Sequence, residues 1–250
     1  MNRFIILLTL SYSLTLISAL ARAEIKTFRA EYRAEYQGLP IKAKAIRKLD
    51  KYTDNRFRFV STVNSVFIQV TETSEFEYET LQIRPLNYDY QRKGLGRERR
   101  EKLTFDWRKE SLLFNTKELS PLAAGTLDKL SLQLKLSEDV AQIKATNDPI
   151  LDLSYIIADK SKRKPYHFKI LPDEMLETSL GYIRTIPIER IRNDTVRQTR
   201  FWLSPEFNFL LVKALQIENE RSFELNLIEA EIDGQALKTY ESSPDLYRSQ

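Results

Sequence analysis

The sequence contains no cysteine, and it contains one histidine, His167, among its 250 residues. Without cysteine the chain can form no disulfide bond, no thiolate metal site and no cysteine nucleophile. A catalytic serine would need His167 as its base. Tyr166 and Phe168 alternate with His167, however, and this pattern predicts that the imidazole points away from the apolar face. A zinc site is not expected with a single histidine.

Glycine is scarce, with six in the chain, and no phosphate-binding loop or dinucleotide-binding motif occurs. Acidic residues are frequent, so the close spacings of Glu72 with Glu75 and of Glu98 with Glu101 are expected by chance. A glycan hydrolase that uses two converging carboxylates is therefore the least expected function. We predict no enzymatic activity, no cofactor and no metal.

The first 23 residues predict a signal peptide. A short positive start at Arg3 is followed by an uncharged apolar run over residues 4–20. The small residues Ala21 and Ala23 then suit a signal peptidase, with cleavage before Glu24. An uncleaved membrane anchor is the alternative, because the run is about as long as a single membrane span. No cysteine follows the run, which excludes lipoprotein attachment.

Removal of the leader would take two arginines and no acidic residue. The Lys and Arg count would fall from 39 to 37 against 35 Asp and Glu, and the net charge from +4 to +2. A chain this balanced is not a strong polyanion binder, so no nucleic-acid partner is predicted. We expect the mature protein to lie in the periplasm and not to span the membrane.

Alternating residues dominate the mature chain. Between Phe28 and Tyr36 apolar and charged side chains alternate strictly, which predicts a strand with one wet face. Similar runs recur at short spacing, about thirteen in all, with hairpin-type connections. No linker divides the chain, so residues 24–235 are predicted to form a single β-rich domain, followed by a polar tail at 236–250. The predicted fold class is mainly β, a single antiparallel meandering sheet curled into a barrel or half-barrel.

Two predicted strands have small or polar residues at positions that alternate with the solvent-facing ones and are expected to face the core. Ala43 and Ala45 are small and would leave room beneath them. In the strand predicted from about Phe67 to Glu79, the polar residues Glu72 and Ser74 share the parity of the apolar ones. Either that strand crosses from core to rim there, or a bulge changes its parity.

One stretch, about residues 126–145, predicts a helix. Thr126 is expected to cap its N-terminus, Asp128 suits the helix dipole, and the leucines recur at roughly helical spacing. Leu130 to Leu136 also alternate, as in a strand, but Leu, Lys, Gln and Ser favour helix over strand. A helix so rich in leucine must bury them, and we expect it to pack on the concave side of the curved sheet.

The highest local density of charge is in a basic hairpin at residues 92–100. This hairpin is either a solvated loop or a binding site for anionic head groups and glycans. Aromatic side chains near it and in Arg200-Phe201-Trp202 are either packing residues or the wall of a binding groove. Phe201 and Trp202 lie on opposite faces, so one of them faces away from the core or lines a cavity. The candidate ligand-binding residues are Tyr88, Tyr90, Trp107, Trp202, Arg97, Arg99 and Arg100.

The order of several short motifs resembles the exported bacterial family of unknown function DUF3108, over about residues 28–216. The resemblance implies an envelope protein of mostly antiparallel β structure and brings no assigned catalytic residues. The motifs that carry it are Tyr36-Gln37-Gly38 with Ala43 and Ala45, Pro85-Leu86-Asn87-Tyr88, Phe105-Asp106-Trp107, Gly125-Thr126-Leu127-Asp128-Lys129-Leu130-Ser131, Leu176-Glu177-Thr178-Ser179-Leu180-Gly181 and Thr199-Arg200-Phe201-Trp202-Leu203-Ser204-Pro205.

Together these features favour a periplasmic, non-enzymatic protein that binds an apolar or amphiphilic envelope ligand, a lipid or lipid-linked glycan, in the sheet concavity. The alternative is an envelope interaction module that pairs with a partner protein and binds no small molecule. The two hypotheses differ in the interior they predict. The first requires an apolar cavity between sheet and helix, and the second a packed interior with an exposed apolar patch or sheet edge.

Overall fold

The computed structural model describes residues 25–36, 42–94, 96, 98–119, 121–194 and 196–238, with the side chain of Lys42 excepted. Most of these residues lie in one large β-sheet, which is packed against one α-helix. Three predictions concern segments outside the described residues, and they stay predictions: the signal peptide of residues 1–23 with cleavage before Glu24, the candidate residue Arg97, and most of the polar tail at 236–250.

The described chain contains the α-helix α1 (Lys129–Thr146), a short 3₁₀-helix (Pro205–Phe207) and seventeen strands. The strands are β1 (Phe28–Tyr36), β2 (Lys42–Lys51), β3 (Arg56–Asn64), β4 (Gln69–Glu79), β5 (Gln82–Lys93), β6 (Arg99–Asp106), β7 (Ser111–Phe114), β8 (Lys117–Leu119), β9 (Thr126–Leu127), β10 (Asp152–Asp159), β11 (Lys162–Ile170), β12 (Glu174–Thr178), β13 (Gly181–Ile191), β14 (Arg197–Ser204), β15 (Leu210–Glu218), β16 (Arg221–Ile232) and β17 (Gln235–Ala236).

The two halves of the sheet meet at β1, which pairs antiparallel with β2 on one side and with β16 on the other. From β2 the sheet continues in chain order to β8. From β16 it runs back through β15, β14, β13 and β11 to β10. The short strand β12 pairs with the first part of β13. The hairpin connections predicted from the sequence therefore make up most of the sheet.

The prediction of a purely antiparallel sheet is wrong at one place. β9 pairs in parallel with β10, so the sheet is mixed. Parallel neighbours need a crossover connection that carries the chain back, and α1 provides it between these two strands. Among the described residues no pairing joins the β8 edge to the opposite arm, so the sheet is not closed. Of the two predicted shapes, the open one agrees with this pairing.

The alternation predicted for Phe28–Tyr36 is confirmed, because β1 has these bounds and its alternate residues Ala30, Tyr32 and Ala34 are buried. Charged residues occupy its other face, where Glu31 forms an ion pair with Lys44 of the neighbouring strand. Buried alanines on β1 and β2 leave little side-chain bulk on the inner face there. The central strands therefore leave room inside the curve of the sheet.

The helix begins later than predicted. Asp128, and not Thr126, is its N-cap: the Asp128 carboxylate accepts from the backbone N–H groups of Leu130 at 2.8 Å and Ser131 at 2.9 Å. Ser131 completes a capping box by accepting from the Asp128 N–H at 2.9 Å. Thr126 instead belongs to β9, and its hydroxyl donates to the Ala123 carbonyl at 2.7 Å. Parallel pairing with β10 holds Thr126 and Leu127 extended, so the helix starts only after them.

The leucines of α1 are buried on more than one side. Leu130, Leu132, Leu134 and Leu136 are all buried, although positions two apart in a helix point in nearly opposite directions. The helix contacts β3, β4 and β5 from one arm of the sheet and β10 from the other. It therefore lies inside the curve of the sheet, as predicted. Burial on several sides explains why its sequence shows both a helical and a strand-like period.

Ser74 is polar, yet its side chain lies on the core-facing side of β4, like its apolar neighbours on that side. Ser74, Phe76 and Tyr78 are all buried on one side of β4, and a register shift against β5 falls between Glu75 and Phe76. A bulge is thus present, and the core-facing parity is kept through it. The Ser74 hydroxyl donates to the Asp128 carboxylate at 2.6 Å, so a buried polar pair joins the sheet to the start of α1.

No helix within the described ranges combines the length and the hydropathy that crossing a bilayer requires.

The buried cap generates a stability prediction. Asp128→Ala removes the acceptor of two backbone N–H groups and of the Ser74 hydroxyl, and we expect it to lower the free energy of unfolding by about 2–3 kcal/mol. Urea unfolding followed by circular dichroism measures this loss. Asp128→Asn keeps one oxygen acceptor and should lose clearly less. Equal stability of the wild type and the alanine variant would contradict the assignment of the cap.

Candidate functional site

A cavity of about 510 Å³ lies between α1 and the sheet. The helix between Gln133 and Ala145 forms one wall, and the inner faces of β1 to β3 and of β13 to β15 form the other. Most of the wall is apolar, with contributions from Phe59, Leu136, Phe201, Leu203 and Leu211. Its volume falls in the range of sites that hold small organic ligands, about 300–1,000 Å³.

The cavity has a surface end and an inner end. Lys26, Leu81 and Asn208 line it and are exposed, so they mark where it opens to solvent. Tyr32 and Arg47 also line it but are buried, with 0% and 4% of their surface exposed. A ligand can therefore enter from solvent beside the helix and reach a buried polar end.

Arg47 lies at that inner end. Its guanidinium donates to the Gln133 side-chain oxygen on α1 and lies 4.8 Å from the centre of the Phe59 ring. Its Nε atom is buried and has no hydrogen-bond partner. Burial lowers the pKa of Arg47, while the nearby Tyr32 and the charge of Glu72 oppose that shift. An arginine remains charged in proteins, so the inner end of the cavity carries a buried cation.

Tyr32 lies beside Arg47 at the inner end, on the neighbouring strand β1. Its hydroxyl donates to the Leu211 carbonyl at 2.8 Å and so ties β1 to β15 across the interior. Burial raises the pKa of Tyr32 to about 12, although the adjacent Arg47 lowers it in part. The phenol therefore stays neutral at physiological pH and acts as a hydrogen-bonding group beside Arg47.

Glu72 is the acidic residue whose charge acts on this cation. Pairing places Arg47 opposite Ser61, Ser61 opposite Glu72, and Glu72 opposite Tyr90, in one row across β2 to β5. The carboxylate of Glu72 accepts from the Tyr88 hydroxyl. Burial, followed by the charge of Glu72, raises the pKa of Tyr88. Glu72 is thus held by Tyr88, one strand away from Ser61 and two from Arg47.

Glu138 lines the cavity from the helix side. Burial raises the pKa of its carboxyl group to about 7, with a further rise from Asp139, while the Tyr78 hydroxyl and the charge of Lys135 lower it. Asp139 itself is engaged by Lys135 at 2.7 Å and by the Tyr155 hydroxyl at 2.6 Å. Near neutral pH Glu138 therefore holds its proton part of the time.

A family model described as "Protein of unknown function (DUF3108)" matches residues 31–220. This chain belongs to the DUF3108 family. The resemblance seen in the order of the sequence motifs is thereby confirmed. The family description assigns no ligand and no activity, and no curated protein matches the chain.

The DUF3108 chain is also similar to a solved structure, the beta-barrel-like protein of domain of unknown function DUF1849 from Brucella abortus. The TM-score is 0.52 and the sequence identity 10%, over 83% of this chain and 98% of that one. At this identity the likeness concerns the fold alone.

The sequence-predicted residues Tyr88, Tyr90 and Trp107 lie away from the cavity lining. Tyr88 is buried against the core, and Tyr90 lies 5.9 Å from the guanidinium of Arg99. The indole N–H of Trp107 donates to the Pro85 carbonyl at 2.6 Å. These three aromatics lie along the β5–β6 part of the DUF3108 sheet, where they form packing and hydrogen-bonding contacts.

The predicted basic residues form ion pairs at the β5–β6 hairpin. Arg99 pairs with Glu101, and Arg100 pairs with Glu98 at 2.8 Å. Arg97 lies outside the described residues. None of the described hairpin arginines lines the cavity, so the structure does not bring this group together with the buried end of the site.

Phe201 and Trp202 take opposite faces of β14, as predicted. Phe201 lines the cavity. The indole N–H of Trp202 donates to Glu174 of β12, and Arg200 and Lys213 lie 5.6 and 5.5 Å from its ring. Trp202 is therefore buried under β12 on the other face. Of these two aromatic residues, Phe201 is the one that a ligand in the cavity would touch.

Sequence reasoning missed Arg47 as a site residue, although a signal was present. Arg47 shares the core-facing parity of Ala43, Ala45 and Leu49 on β2. A cation within such an apolar row points to the interior. The carboxylates first noted as spacings separate in the structure, since Glu72 accepts from Tyr88 while Glu75 pairs with Arg58 on the other face of β4.

The buried carboxyl group of Glu138 generates a pH prediction. Its pKa in the folded protein is raised from 4.5 to about 7, so the unfolded chain loses this proton first and stability falls as pH rises between these values. Glu138→Gln removes this loss. We expect the variant to be more stable than the wild type by up to about 3 kcal/mol near pH 8, and the gain to disappear near pH 4.5.

Denaturant unfolding at the two pH values measures the difference between Glu138→Gln and the wild type. Glu177→Gln is a matched control, because Glu177 is exposed and should change stability little at either pH. A gain for Glu138→Gln that is the same at both pH values would contradict the raised pKa.

Proposed function

We propose that this protein is a non-enzymatic binding protein of the cell envelope that holds an apolar or amphiphilic ligand in the cavity between α1 and the sheet. The cavity itself supports the proposal: about 510 Å³, largely apolar, open at one end and polar at the other. Apolar walls with a few placed polar groups are typical of small-molecule sites.

The helix forms a fixed wall for this ligand. Ion pairs hold it at both ends, from Lys129 to Asp159 at 2.8 Å and from Lys144 to Asp173 at 2.8 Å. With the helix anchored, a ligand would slide in through the mouth near Lys26 and Asn208 without displacing it. The proposal that the protein works in the periplasm rests on the leader-type sequence of residues 1–23.

The second candidate function is an interaction module of the envelope. Val66 and Phe67 favour it, because these apolar residues in the β3–β4 turn are 85% and 53% exposed. The Phe67 carbonyl lies against Gly94 of the basic hairpin, so apolar and basic residues are neighbours there. This tip offers a contact surface for an acidic partner. The cavity, however, departs from the packed interior that the second hypothesis requires.

The binding function generates a test with two parts. The protein is purified from its native host without detergent, and its organic extract is examined by mass spectrometry. We expect an amphiphile in roughly equimolar amount. In the second part, Ala141→Trp places an indole in the cavity wall and should weaken binding of the fluorescent probe N-phenylnaphthylamine by roughly tenfold or more.

Thr146→Trp is the control for this substitution, since Thr146 is exposed on the same helix and does not line the cavity. It should bind the probe like the wild type. Equal binding by both variants, or an extract without amphiphile together with no probe binding, would count against a ligand in this cavity.

A further inference from the structure

Arg47 is a cation in the interior of the sheet that the described part of the fold leaves incompletely satisfied. Arg47 is 4% exposed and lines the cavity, yet its buried Nε atom has no hydrogen-bond partner. Among the described residues its guanidinium donates to the neutral side chain of Gln133, and no carboxylate oxygen forms an ion pair with it. Charges so deeply buried are normally paired, because desolvation of an unpaired ion is costly.

Glu72 does not supply the missing partner. It lies two strands from Arg47, beyond Ser61, and its carboxylate is already held by the Tyr88 hydroxyl. Its charge acts on Arg47 from a distance, without a direct contact. The Nε–H of Arg47 therefore remains free to donate. A guanidinium presents parallel N–H groups that match the two oxygens of a carboxylate or phosphate, so an anion of this kind suits it.

Resting on the proposed binding function, we propose that the ligand is a single-chain anionic amphiphile and that Arg47 binds its carboxylate or phosphate head at the inner end of the cavity. The tail then lies along the apolar wall formed by Leu136, Phe201 and Leu203, towards the exposed mouth. Arg47 contacts the head, and Gln133 orients the guanidinium from the helix side. The Tyr32 hydroxyl keeps its hydrogen bond to the Leu211 carbonyl and lies beside Arg47.

The arrangement explains why a charge is kept inside an apolar sheet. Burial of an unpaired cation costs free energy through desolvation, so packing alone gives no reason for it. A head group with a negative charge supplies the counter-charge that the protein lacks at this point. The same charge excludes cationic amphiphiles, which would bring a second positive group beside Arg47.

The test is displacement of N-phenylnaphthylamine from the delipidated wild-type protein by four chains that differ in their heads. These are palmitate, hexadecyl phosphate, hexadecanol and hexadecyltrimethylammonium. We expect the wild type to bind palmitate or hexadecyl phosphate about tenfold or more tighter than the cationic chain. The relative affinities of the two anions identify the head as carboxylate or phosphate. Acetate and inorganic phosphate, which have no tail, should not displace the probe.

Arg47→Gln should weaken binding of the preferred anion by about tenfold to a hundredfold, because charge-assisted hydrogen bonds are lost. Hexadecanol should bind to the variant within about twofold of its wild-type affinity. The matched control is Lys48→Gln, which removes a positive charge from the next residue of β2 on the exposed face. It should leave the binding of all four chains unchanged. Circular dichroism and thermal unfolding confirm that each variant is folded.

The outcomes separate this inference from the function on which it rests. If hexadecanol binds the wild type as tightly as palmitate and hexadecyl phosphate, and Arg47→Gln changes none of them, anion recognition is wrong while the binding function stands. If no chain displaces the probe and the probe itself does not bind, the binding function fails. If inorganic phosphate, which has no tail, displaces the probe, the proposal that the ligand is an amphiphile is wrong. Should Arg47→Gln not fold, the wild-type preference between anionic and cationic chains decides.

Discussion

A buried hydrogen bond from Ser74 on the sheet to Asp128 at the start of the helix holds the architecture together. Asp128 is 0% exposed, and burial raises the pKa of its carboxyl group, although the Ser74 hydroxyl and the N–H groups of Ser131 and Leu130 oppose that rise. The carboxylate is tolerated in the core because these donors converge on it. Since the same carboxylate caps α1, the contact that satisfies it also places the helix against the sheet.

The cavity follows from that placement. Leu130, Ser131 and Leu132 in the first turn of α1 are buried and do not line the cavity. From Gln133 onward the helix faces aromatic and aliphatic side chains of the sheet, which do not fill the space. The interior is therefore packed at the capped end and open beside the later turns. Arg47 and Glu138, from opposite walls, bring ionisable groups into this space, and each is kept there despite the cost of its burial. An interior built for packing alone would contain neither.

Residue patterns in the sequence did not identify the charged residue that lies in the cavity. The aromatic and basic residues around the β5–β6 hairpin are conspicuous in the sequence, but the described ones mostly satisfy one another: Arg99 with Glu101, Arg100 with Glu98, Trp107 with the Pro85 carbonyl. Arg47 is inconspicuous in the sequence, yet it lies in the cavity. Density of charge on a hairpin is a local property. A buried cation is recognised only when the strand faces are known, and the parity shared with Ala45 and Leu49 was the one signal available.

The sequence by itself determined the elements whose signals are local: the alternating strand Phe28–Tyr36, the leucine-rich helix, the opposite faces of Phe201 and Trp202, and membership of the DUF3108 family through the order of motifs. Tertiary structure decided the start of the helix at Lys129, the parallel pairing of β9, the open sheet and the residues that line the cavity. The physical reason is the separation along the chain of the residues that each feature depends on. A two-residue or 3.6-residue period is written into neighbouring positions, whereas strand register, the partner of a buried carboxylate and the space left between helix and sheet depend on residues far apart in the chain.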